Sequence, residues 1–89
     1  MTIRRFTPTR PLAVVADERQ QFPTQLRWRG RWERITAIAA AWQLDHGWWQ
    51  GGEAAVQRHY YRVLTHSGLL CVIYRDPTSG DWYLEQIID

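Results

Sequence analysis

The sequence holds no lysine: all eleven of its basic residues are arginine. It has one cysteine, Cys71, so no disulfide can form within the chain. Nowhere does an uninterrupted apolar run approach the ~18 residues that a membrane-crossing helix needs. The first residues, Met1-Thr2-Ile3-Arg4-Arg5, lead into no apolar segment of the kind a secretory signal carries. A reducing, cytoplasmic setting is therefore expected. Gly51-Gly52 runs into Glu53 with no lysine to follow, which excludes a phosphate-cradling P-loop. No nucleophile elbow and no HExxH metal motif occurs.

What is present is dense and aromatic. The chain has 89 residues, 45% of them hydrophobic and six of them Trp. Such a length makes one domain, and a short chain buries only about 60–70% of its unfolded surface, so its core must be rich. Large aromatics supply roughly 150–250 Å² each, which argues against disorder. Six indoles are also more than so small a core hides, so some aromatic surface is expected to face a partner. Charge is divided along the chain. Residues 1–34 carry eight Arg against three acids, a balance of +5, and residues 35–89 carry three Arg against six, a balance of −3.

Pro8, Pro11 and Pro23 punctuate the start, and residues 1–11 read as an extended arm ahead of a single small domain at 12–89. Leu12 to Val15 suits a short strand. Thr24 to Arg29 alternates, with Thr24, Leu26 and Trp28 on one side and Gln25, Arg27 and Arg29 on the other. A hairpin around Gly30-Arg31 follows. Residues 35–44 admit two readings. Ile35, Ile38, Ala39 and Trp42 have helical spacing, so a short helix is one; Ile38, Ala40, Trp42 and Leu44 share a face of a strand. The missing N-cap and the hairpin that feeds into the segment favour the strand. Ser67-Gly68 marks a turn between strands. Taken as a two-residue loop, it sets Thr65 against Leu70, Val63 against Val72 and Tyr61 against Tyr74. Asp76 to Asp81 is a turn, and Trp82 to Ile88 a last strand. The expected fold is mainly β: an antiparallel meander of five to six strands, curled or closed into a small SH3-like barrel.

Candidate sites follow from this layout. His59, His66 and Cys71 are metal-ligand types, but in that register His59 lies on the opposite face from the other two, so no metal site is expected. Cys71 reads as a small buried hydrophobe. No acid, base and nucleophile converge in the sequence, so neither catalysis nor a cofactor is expected. Arg27-Trp28-Arg29-Gly30-Arg31-Trp32-Glu33-Arg34 does resemble a nucleic-acid surface, because guanidiniums neutralise phosphates and rings stack bases. In a strand Trp28 points to the core, so Arg27, Arg29, Arg31 and Arg34 are the outward part. Its bland counterpart is a solvated basic face above buried aromatics. Trp48-Trp49 together with Arg58, Tyr60 and Arg62 is a second cluster, of the composition found at protein-interface hot spots. Ordinary cross-strand pairing would explain it equally well.

Several runs occur in a recognisable order: Trp48-Trp49, Arg58-His59-Tyr60-Tyr61-Arg62-Val63, Gly68, Tyr74-Arg75-Asp76 and Gly80-Asp81-Trp82-Tyr83-Leu84. Pro11-Leu12, Leu26-Arg27-Trp28-Arg29-Gly30-Arg31 and Ile35 precede them in the same order. From Pro11 onward the chain resembles a small bacterial domain family similar to the C-terminal segment of ImuB-like proteins, relatives of Y-family DNA polymerases. That resemblance implies an accessory role in damage-induced mutagenesis, with mutagenesis-complex proteins (ImuB-like or polymerase) or DNA as partners. The polymerase body is missing. Ala39-Ala40-Ala41 stands where fused relatives tend to have a Gly-Pro-Glu turn. Gln43-Leu44-Asp45 opens like a clamp-binding peptide, but His46-Gly47 replaces the hydrophobic pair that should follow. The alternative function is a protein–protein adaptor or homodimerising domain that binds no nucleic acid.

Overall fold

A computed structural model describes residues 2–6, 10–19, 22–46 and 56–88. They form seven strands: β1 (Ile3–Arg5), β2 (Val14–Ala16), β3 (Pro23–Trp28), β4 (Arg31–His46), β5 (Val56–Thr65), β6 (Leu70–Arg75) and β7 (Trp82–Ile88). Every pairing is antiparallel, in the order β1-β7-β6-β5-β4-β3-β2, so the fold is mainly β as expected, with two short strands more than the five longest. Among the described residues there is no helix: 35–44 lies wholly within β4.

The two short strands come from the N-terminal segment. Ile3 pairs with Ile88 and Arg5 with Gln86, so within the extended arm Ile3–Arg5 is an edge strand on β7. Leu12 then bridges to Trp82, donating its N–H to the Trp82 carbonyl at 2.6 Å, and Val14 pairs with Leu26 of β3. β1 and β2 thus lie at opposite ends of the meander, Leu12 reaches β7, and the sheet curls around a buried interior. Leu26, Tyr61, Val63, Cys71, Ile73, Trp82 and Ile87 are buried there, with Leu12, Val14, Trp28 and Ile35 packed on them.

Two turns correct the expected registers. The first hairpin pairs Trp28 with Arg31, so its loop is Arg29-Gly30 rather than Gly30-Arg31. Both loop residues have positive φ, 52° and 78°, the left-handed backbone that a two-residue hairpin needs to match strand twist. In the second, Thr65 N–H donates to the Leu69 carbonyl and Gly68 N–H to the Thr65 carbonyl. The extra loop residue slips β6 by one. Val63 faces Cys71, Tyr61 faces Ile73 and Tyr60 faces Tyr74, in place of Val72 and Tyr74 opposite Val63 and Tyr61. Because side chains alternate, that slip exchanges the two faces of β6. Cys71 and Ile73 join the inner cluster, Val72 and Tyr74 a second buried cluster with Tyr60 on the other face, and Cys71 lies on the face of His59 rather than opposite it.

β4 is long enough to serve both halves of the curl. Residues 31–34 pair with β3, and 35–46 pair with β5. Register shifts at Ile35/Ala37 and Ile38/Ala40 bend it where it passes between the two. The second shift sets Ile38 opposite buried Val63, so Ile38 does not share the face of Ala40, Trp42 and Leu44 as a regular strand would require.

Candidate nucleic-acid interface and the aromatic ladder

The β3–β4 hairpin separates its side chains cleanly. Leu26 and Glu33 form a cross-strand pair that is buried on the inner side. Arg27 with Trp32, and Gln25 with Arg34, form the outer pairs. Trp32 is 46% exposed, and Arg27 and Arg34 are exposed beside it. The outer face therefore presents an indole between two guanidiniums. Arg29, at the turn, sets its guanidinium over the Trp28 ring at 5.3 Å, and exposed Arg31 flanks the turn. Trp28 is half-buried and meets Phe6 edge-on at 6.1 Å. All four hairpin arginines singled out in the sequence come together at this end of the molecule. Trp32 was not singled out. Either loop, Arg29-Gly30 or Gly30-Arg31, sets Trp32 on the face of Arg27, so strand alternation alone could have found it.

The second cluster divides. Trp48 and Trp49 lie outside the described residues. Arg58, Tyr60 and Arg62 do share the outer face of β5, but with different roles. Tyr60 is only 3% exposed. It belongs to a ladder of rings crossing four strands. Trp42 stacks on Tyr60 at 5.4 Å with 5° between planes, Tyr60 meets Tyr74 at 5.2 Å, and Tyr74 meets Tyr83 at 5.3 Å. Each is a directly opposed cross-strand pair, the geometry in which aromatic side chains stabilise a sheet best. Arg58 lies over the Tyr74 ring at 4.8 Å. Its hydrogen bond to the Tyr60 side chain raises its pKa further, so it stays cationic. Arg58 is thus half-buried packing for the ladder, whereas Arg62 is exposed. Burial raises the Tyr74 and Tyr61 phenol pKa values.

A polar cluster that the sequence did not reveal closes one end of the interior. Glu33 Oε1 accepts from Thr65 Oγ1 at 2.9 Å and from Ser67 Oγ. Thr65 is 2% exposed, and its hydroxyl also accepts the Leu69 N–H at 3.2 Å. The Ser67 and Thr65 hydroxyls hold the Glu33 carboxyl below its usual pKa, helped by His66 and Arg31. His66 N–H donates to the Arg34 carbonyl, and the Arg34 N–H donates to His66 Nδ1 at 3.2 Å. Among the described residues no group of three His, Cys, Asp or Glu could hold a metal ion. Cys71 is fully buried, and burial pushes its thiol up to about 12.

A small curled β domain with a basic, partly aromatic hairpin is the class these features define. Residues 5–89 match the model of a domain family described as a domain of unknown function (DUF6504), and the chain belongs to that family. No curated protein and no solved structure matches it.

Proposed function

We propose that the chain is a non-catalytic binding module, accessory to damage-induced mutagenesis, whose β3–β4 hairpin contacts single-stranded DNA or a polymerase–DNA complex. The observation that carries this reading is the outer pair Arg27–Trp32 with Arg34 beside it, an exposed ring bracketed by exposed guanidiniums. Bases stack on such rings for about 1–3 kcal/mol each, while arginines neutralise the phosphates between them. Arg29 and Arg31 extend the positive charge around the turn, and Arg62 adds one further exposed guanidinium on β5. The mutagenesis setting rests on the resemblance of the order of its motifs to that of ImuB-like C-terminal segments. Fluorescence anisotropy of a labelled single-stranded oligonucleotide tests the contact. Trp32→Ala is expected to weaken binding about tenfold or more, in line with the loss of one stacked base. Equal affinity for wild type and Trp32→Ala would remove the hairpin from the reading.

A further inference from the structure

The registers line up side chains in rows across the outer face of β4, β5, β6, β7 and β1. Ala37 opposes Leu64, Leu64 opposes Leu70, Leu70 opposes Ile88, and Ile88 opposes Ile3. These apolar side chains form one unbroken row, about 19 Å long at ~4.8 Å per strand. The row is open: Ile3 is 52% and Leu64 37% exposed, Ala37 is exposed, and Leu70 and Ile88 are half-buried. Exposed aliphatics scattered singly need no explanation, whereas a contiguous row marks a contact surface. Next to it, one alternation along the strands, runs a second row: Ala40, Arg62, Val72, Gln86 and Arg5. Its charged members, Arg62 and Arg5, are both exposed. On the opposite flank, exposed Arg34 is tied to His66, which follows Leu64 along the chain. The aliphatic row thus lies between cations. Glu85, at the β7 bulge, lies on the ladder side, near Tyr74.

We propose that this row docks an acidic amphipathic segment of a partner protein, with its apolar side chains on Leu64, Leu70, Ile88 and Ile3 and its carboxylates toward Arg62, Arg5 and Arg34. As a helix, about 13 residues at a rise of ~1.5 Å each cover the row. Such a segment carries apolar residues at i, i+3, i+4 and i+7 and Asp or Glu on both flanks. Charge selects this occupant. A second copy of the chain would bring the same arginines against one another. Single-stranded DNA would meet aliphatic side chains, which give a base no ring to stack on. Only Arg34 is shared with the platform at Trp32, so the docking row stands whether or not that platform holds an oligonucleotide.

Amide NMR of the full chain tests this, with a designed Leu/Glu amphipathic helical peptide and its Leu/Lys counterpart as probes. Each is titrated to ~1 mM, the weak end of specific binding. The Leu/Glu peptide is expected to shift the signals of Leu64, Leu70, Ile88 and Ile3, and the Leu/Lys peptide to leave them in place. Leu64→Asp is expected to weaken binding about tenfold or more, and Arg62→Glu about threefold. Ile3→Asp, on the edge strand, is the second variant if Leu64→Asp does not fold, which the amide spectrum itself reports. Absence of shifts in the row would overturn the proposal. So would an equal response to both peptides, or an unchanged affinity in a folded Leu64→Asp or Ile3→Asp. A row that answers only to phosphatidylglycerol vesicles or to a single-stranded oligonucleotide would overturn it too.

Discussion

At the residue scale, the buried carboxylate is the most informative group. Glu33 alternates into the core phase of β4, where an apolar residue would be expected, and it is tolerated because Thr65 and Ser67 donate to it. Its pKa is lowered in the fold. The associated stability is therefore fully present above the carboxylate's unfolded pKa and is lost as pH falls through the folded value. Urea unfolding from pH 7 downward should show this loss, and Glu33→Gln should flatten that acidic limb. A variant with an unchanged limb would contradict the assignment. Thr65→Val removes one donor to Glu33 and the acceptor for Leu69 N–H, at an expected cost of about 1–3 kcal/mol. None of this was readable from sequence, because Glu33, Thr65 and Ser67 are brought together only by long-range pairing. Cys71, by contrast, was readable as a buried hydrophobe from its apolar neighbours. With its thiol pushed up to about 12 it should resist a thiol reagent in the native protein and react once unfolded. Rapid native labelling would contradict the burial.

Turn chemistry decides most at the scale of elements. The strands were visible in the alternation of Thr24 to Arg29 and of Arg58 to Arg75, and the strand at 35–44 in its continuity with the hairpin. The registers were not, since the lengths of the two loops had to be assumed. One residue moved at Ser67-Gly68 exchanged Val72 and Tyr74 with Cys71 and Ile73. Moving the loop by one at Gly30 changed the partner of Trp32 from Arg29 to Arg27 but left the indole on the same face. The bulges in β4 leave no periodic trace at all, because a bulge adds a residue without changing composition. Arg29 bears the cost of its turn: at φ 52° it occupies backbone that side-chain-bearing residues other than Asn and Asp seldom adopt. Arg29→Asn should therefore raise stability by up to ~1 kcal/mol while weakening oligonucleotide binding through lost charge. Opposite movement of the two quantities, followed by thermal melts and anisotropy on one sample, is the signature. A destabilised variant would show that the arginine's contact over the Trp28 ring outweighs the turn strain.

The whole molecule is a sheet curled on itself by its own N-terminal segment, with two aromatic layers. The inner layer, with Ile73, Val63 and Ile87 fully buried, holds the curl closed. Ile73→Ala is expected to cost about 2–5 kcal/mol, a large part of what a domain of this size has. The outer layer is the four-ring ladder, which rigidifies β4 to β7. Excess aromatic surface was foreseeable from six Trp in 89 residues, but its division was not. Tyr60 was expected at a docking surface and is packed into the ladder, whereas Trp32 stands exposed. Basic charge gathered in residues 1–34 is left at the hairpin end, where Arg27 and Arg34 flank that indole and Arg29 and Arg31 lie at the turn.

The central claim is that this end of the molecule grips a phosphate backbone, and the salt dependence of oligonucleotide affinity tests it most directly. Four hairpin arginines engaging a single strand predict that log K falls with log salt at a slope of about −3. Substituting Arg27 and Arg34 together by glutamine should bring the slope to about half that. No binding at low salt, or an affinity indifferent to salt, would contradict the account.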